Sequence, residues 1–129
     1  MNEQQDNIVI VGGGQAGAAL ANAPATAGLA ARPHLVCAES DLPYQRPPLS
    51  KAFLKNPAEA LQLHRGEPWF AEAGITLHRG DAALSIYRTQ HTLTLRSGTV
   101  LPYQWLVLAT GATARSLPGL PVGLANVAV

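Results

Sequence analysis

The stretch Asn7–Gly17, with the sequence NIVIVGGGQAG, runs from an apolar β-branched segment directly into closely spaced glycines. The apolar segment predicts a parallel strand that is buried on both faces. The Ala-rich stretch from Gln15 to about Ala27 predicts a helix, which Gly28 closes as a C-terminal cap. A second strand is expected at His34–Cys37. Together these segments form a βαβ unit with the glycine pattern of a dinucleotide-binding turn.

The glycines have separate predicted roles in this turn. Gly12 permits the tight turn from strand to helix, Gly14 lets the backbone approach a phosphate, and Gly17 lets the helix pack on the strand. The helix N-terminus adds free N–H groups and the positive end of the helix dipole, which suit a pyrophosphate. A flexible glycine turn without a ligand is the alternative.

Beyond this unit the patterns predict short helices, an antiparallel meander and further strands. Ser50 is a candidate N-cap for a helix through about Leu54. Pro68 and Gly74 suit the first turn and the end of a helix over Glu67–Ala73. Strand patterns follow at Ile75–His78, at Ala83–Arg88, His91–Arg96 and Thr99–Tyr103 in the meander, and at the apolar Trp105–Ala109, which is expected to be buried. The sequence therefore predicts an α/β fold with a Rossmann-like parallel sheet and a β-meander crossover.

An acidic residue is expected at the end of the second strand, where it accepts a hydrogen bond from a ribose hydroxyl. Glu39 lies about 20 positions after Gly17, the usual spacing. Asp41 is a close competitor, and a solvated turn carboxylate is the alternative for either residue. Cys37, at the same strand end, is expected to be a small buried hydrophobe.

The loop Leu42–Lys51, with the sequence LPYQRPPLSK, supplies two cations. Arg46 stands before two prolines that restrict its backbone, as befits a guanidinium aimed at one group. If Ser50 caps a helix, Lys51 occupies its first turn, where a positive charge opposes the helix dipole. A nearby cofactor or carboxylate would explain a cation there, and a surface lysine screened by water is the alternative.

Composition excludes several other classes of function. The chain has 129 residues, a formal net charge of +1 and no basic stripe, so we expect one domain and no nucleic-acid partner. No apolar run reaches the length of a membrane span. One cysteine and four widely separated histidines give no metal site. The polar start Met1–Asn7 lacks the features of a signal peptide, which predicts a cytoplasmic location.

Taken in order, four segments resemble the FAD-dependent ferredoxin reductases of oxygenase systems: VIVGGGQAG, the loop LPYQRPPLSK, the Trp69 segment ending in Gly74-Ile75, and LVLATGA at 106–112. The resemblance covers about Asn7 to Leu120, and the proline loop is its most specific part. It implies a glutathione-reductase-like FAD domain. It also implies that a complete enzyme passes electrons from NAD(P)H through FAD to a [2Fe–2S] ferredoxin.

The resemblance also implies a set of FAD contacts. Glu39 would bind the adenosine ribose, Arg46 would lie near the phosphate or ribose, and Lys51 would lie beside the flavin ring as the catalytic residue that stabilises negative charge there. The backbone of Ala83 would touch the adenine, and Arg115 is a further candidate. The remaining implied contacts are those around the pyrophosphate, Gly12, Gly14, Gln15, Ala16 and Gly17, and those packed near the cofactor, Ala109, Thr110 and Gly111.

The sequence departs from the family pattern in ways that limit the function expected of this chain. Pro24 stands inside the first helix and Pro33 at the expected start of the second strand, which predicts a distorted helix. The proline loop has no cysteine pair, so the flavin would serve a one-electron acceptor. Residues 1–129 correspond to an N-terminal FAD-binding portion without the NAD(P)H and C-terminal domains, and we expect no turnover from them alone. The alternatives are a dehydrogenase NAD-binding domain and a silent remnant or interaction module.

Overall fold

Seven strands and three helices build the part of the chain that the structure describes. The computed structural model describes residues 6–119 and residue 123. In chain order the elements are β1 (Asp6–Val11), α1 (Gln15–Thr26), β2 (Ala31–Cys37), a 3-10 turn (Pro47–Ser50), α2 (Ala52–Lys55), α3 (Glu67–Glu72), β3 (Thr76–Arg79), β4 (Ala83–Tyr87), β5 (Thr92–Leu95), β6 (Val100–Pro102) and β7 (Trp105–Leu108).

The central sheet has four parallel strands in the order β3-β2-β1-β7. Ile10 of β1 pairs with Leu35 on one side and with Val107 on the other. The chain therefore leaves β1 toward β2 and returns much later to the opposite side of β1. This reversal is a topological switch point, and ligands of doubly wound sheets bind outside the carboxyl ends of the strands at such a point.

The two faces of the sheet bury different partners. One face packs on the antiparallel meander β4-β5-β6, and the other packs on α1 and α3. The alternation of side chains along a strand produces this division. The core on the meander side contains Val9, Val11, Val36, Leu93, Leu95 and Leu101. The core on the helix side contains Ile10, Ala21, Leu35, Cys37, Phe70 and Ile75. The predicted α/β fold with a parallel sheet and a meander is confirmed.

The two prolines are accommodated within regular structure. α1 extends through the buried Pro24 and ends at Thr26, two residues later. β2 begins at Ala31 rather than His34, so Pro33 lies inside it. Because β3 pairs with β2 only from His34 onward, Pro33 has a neighbouring strand on one side alone. A proline is tolerated in a strand where its missing N–H is not required by the ladder.

Two sequence-based expectations for the elements are wrong. Ser50 does not cap a helix, because the two prolines before it start a 3-10 turn that Ser50 ends, and Lys51 is the N-cap of α2. The last strand is not wholly buried, because β7 is an edge strand of the described sheet: Trp105 is 63% exposed and Leu108 61%.

None of the helices in the described ranges is long and apolar enough to cross a membrane. The polar start at residues 1–5 and the last residue of the resemblance, Leu120, lie outside the described residues.

Candidate functional site

The glycine turn is wedged between the ends of two neighbouring strands. The Gly12 N–H donates to the Val36 carbonyl oxygen at 2.9 Å, and the Ala109 N–H donates to the Val11 carbonyl oxygen at 2.8 Å. Gly12 has φ +119°, a conformation that side chains rarely allow, and a Cβ atom there would lie 2.6 Å from the Ala109 carbonyl carbon and closer to its oxygen. Glycine is therefore required at this position by the protein itself.

Gly13 and Gly17 are also fixed by packing. A Cβ atom on Gly13 would lie 2.5 Å from the Cys37 sulfur. A Cβ atom on Gly17 would overlap the Gly12 carbonyl group and would lie 3.4 Å from a methyl group of Leu35. The predicted role of Gly17 in letting the helix pack closely on the strand agrees with this geometry.

Gly14 differs from its neighbours because no protein atom requires it. Nothing lies within 4 Å of the position its Cβ would take, and its φ of −77° suits any residue. Gly14 is the N-cap of α1, and no side chain caps the helix. The first turn of α1 therefore presents its N–H groups without a side-chain acceptor, beside the open space at Gly14.

The cofactor contacts predicted in the first turn of α1 and after β7 follow the carboxyl ends of two paired parallel strands. Gln15 and Ala16 are exposed in the first turn of α1. Ala109, Thr110 and Gly111 directly follow β7, and a Cβ atom on Gly111 would meet no protein atom within 4 Å. Arg115 lies further along this exposed segment, which has no helix or strand.

Glu39 lies just beyond β2 and is held by two side chains of the following loop. Arg46 Nη2 donates to Glu39 Oε1 at 2.6 Å, and Tyr44 Oη donates to Glu39 Oε2 at 2.6 Å. The hydrogen bond from Tyr44 and then that from Arg46 lower the pKa of the Glu39 carboxyl group. The Glu39 carboxylate is thus ionised and oriented, whereas the competing Asp41 is an exposed residue.

The Arg46 guanidinium contacts the side chains of Glu39 and Tyr44. Besides the ion pair with Glu39, its Nη1 lies 3.2 Å from Tyr44 Oη, and its guanidinium lies 5.1 Å from the centre of the Tyr44 ring. The sequence patterns single out both Glu39 and Arg46 but predict neither their ion pair nor the contribution of Tyr44. An aromatic residue two positions before the selected arginine is the signal that could have identified it.

Lys51 presents its ammonium group at the surface. It is exposed, and its Nζ lies 3.5 Å from the Pro47 carbonyl oxygen. It forms no ion pair with any residue in the described part of the chain. The lysine is therefore available to a ligand at the end of the proline loop, and the role beside a flavin ring stays a prediction.

The start of the meander is tied to the end of β2. The Gly80 N–H donates to the Glu39 carbonyl oxygen at 2.8 Å, and the Asp81 N–H donates to the Cys37 carbonyl oxygen at 3.2 Å. Ala83, the predicted adenine contact, begins β4 two residues later and adjoins a β-bulge. The structure thus brings Ala83 toward the same strand end as Glu39.

Cys37 lies in the core directly behind Gly13 of the glycine turn. Burial raises the pKa of the Cys37 thiol to about 11, so the sulfur is a protonated, inert part of the core. Within residues 6–119 and residue 123, no group of three or more His, Cys, Asp or Glu side chains could hold a metal ion.

A glycine turn at the switch point, an organised acidic residue at the end of the second strand and a meander on the opposite face define a dinucleotide-binding domain of the doubly wound class. The sequence pattern of the pyridine nucleotide-disulphide oxidoreductase family matches residues 6–128. The chain belongs to this family.

The chain is similar to several ferredoxin reductases within this family. The chain is 41% identical over 114 residues to rhodocoxin reductase of Rhodococcus erythropolis, covering 87% of this chain and 26% of that protein. It superposes with a TM-score of 0.82 and 42% identity on the ferredoxin reductase of the CYP199A2 system from Rhodopseudomonas palustris, covering 88% of this chain and 28% of that one. Putidaredoxin reductase in a covalent complex with putidaredoxin gives a TM-score of 0.80 and 38% identity, with 88% and 27% covered.

These comparisons confirm the predicted resemblance and the fold. The chain spans about a quarter of the length of the relatives it matches, and it corresponds to their N-terminal portion. The prediction of FAD is confirmed at the level of the family, since these reductases are FAD-binding proteins.

Proposed function

We propose that this chain forms the FAD-binding portion of an NAD(P)H-dependent ferredoxin reductase. The observation that carries the proposal is the open space at Gly14. Glycines that the fold requires surround this position, yet nothing in the protein requires Gly14 itself. It stands at the uncapped start of α1, which is where an extended dinucleotide places its pyrophosphate in this class of fold.

The residues around that position divide the binding of FAD between them. Backbone N–H groups of Gln15, Ala16 and Gly17 bind the pyrophosphate, with Gly111 leaving room on the side of β7. Glu39 accepts hydrogen bonds from the adenosine ribose, and the backbone near Ala83 lines the adenine. Ala109 and Thr110 complete the wall of the site after β7, and Arg115 remains a further candidate. Arg46 orients Glu39 at the ribose end of the site rather than acting as a free phosphate ligand.

Lys51 is proposed as the side chain that lies beside the flavin ring. FAD, when bound, supplies transfer between a two-electron nicotinamide donor and a one-electron acceptor. The contribution of Lys51 is a positive charge held at the surface end of the proline loop, where it stabilises negative charge on the adjacent ring. Its ammonium group has no competing carboxylate among the described residues.

The redox partners of the whole protein are NAD(P)H and an iron–sulfur protein of the [2Fe–2S] ferredoxin type. The relatives named as ferredoxin reductases support this part of the proposal, and so does the covalent complex of putidaredoxin reductase with putidaredoxin. The absence of any cysteine between Leu42 and Lys51 also supports it, because electrons have no local disulfide to reduce. The cytoplasmic location stays a prediction.

The visible absorption spectrum tests the cofactor directly. The purified 129-residue chain is mixed with FAD, passed through a gel-filtration column and scanned for flavin bands. Flavin that elutes with the protein in a near-stoichiometric amount is the expected result. The same chain is then challenged with excess NAD. Displacement of FAD by NAD, or retention of NAD alone, would identify a nicotinamide-binding domain instead, and retention of neither nucleotide would leave the silent or interaction role.

A further inference from the structure

We propose that Tyr44 is a positioning residue for the adenosine half of the cofactor, because it fixes the Glu39 carboxylate that binds the ribose. This inference rests on the proposed function. It adds a residue that neither the glycine motif nor the charged residues of the loop identify.

Tyr44 is supported by backbone pairing on a remote segment of the chain. It forms an isolated antiparallel bridge with Leu63. On either side of it, the Gln45 N–H donates to the Gln62 carbonyl oxygen at 2.7 Å, and the His64 N–H donates to the Pro43 carbonyl oxygen at 2.9 Å. The backbone position of Tyr44 is therefore set before any ligand binds, as a preorganised site requires.

The Glu39 backbone is held by the hydrogen bond from the Gly80 N–H, but its carboxylate is held by the side chains of Tyr44 and Arg46. Glu39 lies two residues beyond the end of β2, and its side chain is 46% exposed. Without partners, such a side chain samples several rotamers and loses that freedom on binding. Because both members of the Glu39–Arg46 pair are about half exposed, their ion pair adds little to the stability of the fold. The cluster of Glu39, Tyr44 and Arg46 is better explained as orientation of the carboxylate.

The contacts leave capacity for a ribose. An ionised carboxylate offers about four lone-pair sites. Tyr44 Oη takes one on Oε2 and Arg46 Nη2 takes one on Oε1. About two sites remain, which matches the two adjacent hydroxyl groups of an adenosine ribose. Arg46 also packs over the Tyr44 ring, so the tyrosine orients both charged residues at once.

The test compares FAD with FMN, which lacks the adenosine half. Dissociation constants of both are measured for the full chain, for Tyr44→Phe and for the matched control Tyr87→Phe, whose ring is exposed on β4. We expect Tyr44→Phe to weaken FAD binding about tenfold and to leave FMN binding unchanged, while Tyr87→Phe changes neither. Equal FAD constants for Tyr44→Phe and the parent chain, or equal losses for FAD and FMN, would overturn the inference.

The pH profile separates positioning from a general structural role. Tyr44 Oη and Arg46 face the Glu39 carboxyl group from the loop, Asp41 lies on the same loop, and the buried Cys37 thiol lies behind it. Losing the hydrogen bond from Tyr44 raises the pKa of Glu39. The acid midpoint of FAD binding, and the Glu39 titration followed by carboxyl-carbon NMR without ligand, should therefore both move to higher pH in Tyr44→Phe. Unmoved midpoints would contradict the inference. A parent chain that binds no FAD would instead reject the proposed function, and the inference with it.

Discussion

Gly12 and Gly17 approach each other so closely at the start of α1 that no side chain fits between them. A Cβ atom on residue 17 would lie 3.0 Å from the Gly12 carbonyl carbon and closer still to its oxygen. The atoms that would have to move are backbone atoms at the end of β1, not the end of a flexible side chain. This contact therefore fixes the helix against the strand and sets the position of the glycine turn.

Gly17→Ala should destabilise the fold by about 1–3 kcal/mol because the added methyl group forces α1 away from β1. Urea denaturation measures the free energy of unfolding. Gly66→Ala is the matched control, because its nearest added contact, Pro68 Cδ, is an ordinary 3.8 Å. The control should lose less than about 1 kcal/mol, mainly as an N-cap effect. Similar losses in the two variants would contradict the packing role of Gly17.

Gly14→Asp should separate stability from cofactor binding. The position has open space and an ordinary φ, and aspartate is a favoured N-cap that also complements the helix dipole, so the free energy of unfolding should rise by a few tenths to about 1 kcal/mol. A carboxylate at that position repels a pyrophosphate, so FAD should be lost on gel filtration. A variant that keeps its flavin would show that the pyrophosphate lies elsewhere.

The His34–His78 pair should make stability fall in mild acid. His34 Nδ1 and His78 Nε2 lie 3.1 Å apart across β2 and β3, and burial is the main cause that lowers the pKa of both from 6.5. The unfolded chain then binds protons more readily than the folded chain. The contribution is therefore complete above pH 6.5 and declines as the pH falls through the lowered values.

Urea unfolding at pH 7.5 and 5.5 measures this decline. The double variant His34→Gln/His78→Gln should flatten the pH dependence, whereas His91→Asn, at an exposed position with φ 53°, should keep it. This interval lies above the range where the carboxyl groups titrate. An unchanged slope in the double variant would exclude the pair as its source.

Lys51→Met should leave the free energy of unfolding within about 0.5 kcal/mol, because the side chain is exposed and its Nζ reaches only the Pro47 carbonyl oxygen at 3.5 Å. If Lys51 lies beside the flavin ring, the visible bands of bound FAD should shift in this variant. Lys55→Met, at the far end of α2, should not shift them. Identical spectra and FAD affinities for both variants would remove Lys51 from the site.

Leu93→Ala should cost about 2–5 kcal/mol because Leu93 is fully buried between the meander and the sheet. Leu84→Ala, at a side chain that is 68% exposed on β4, is the matched control and should cost less than about 0.5 kcal/mol. Thermal or urea unfolding distinguishes them. Comparable losses would mean that the meander is not packed on the sheet as described.

The sequence predicted the elements whose signals are local. The buried run before Gly12, the glycine at the end of α1 and the proline in the first turn of α3 each carry their own conformational preference, and the structure agrees with them. The prediction that Ser50 caps a helix is wrong because the two prolines before it favour a 3-10 turn, which the capping rule does not consider. The exposure of Trp105 could not be predicted, since composition does not reveal whether an apolar strand lies at the edge of a sheet.

In the candidate site too, local sequence signals are predictable and tertiary contacts are not. The motif spacing predicts that Gly14 and Glu39, which lie just beyond the ends of the neighbouring strands β1 and β2, both contact one cofactor. It could not show that Gly14 is the glycine that the protein does not need, because that conclusion depends on the atoms around each missing Cβ. The hydrogen bond between Tyr44 and Glu39 depends on the bridge from Tyr44 to Leu63, a tertiary pairing that leaves no periodic pattern in the sequence.

The attachment of β7 to β1 sets the order in which this site can be assembled. The side chain of Gln104 accepts a hydrogen bond from the Asn7 N–H across 97 residues of chain, and Ala109 closes against Val11 and Gly12. Such distant pairings form slowly because the intervening loop must close first. During synthesis the glycine turn therefore leaves the ribosome before Ala109, and it lacks its contact with Ala109 until that segment has also emerged. The cofactor can then bind only to a chain in which β7 has already paired with β1.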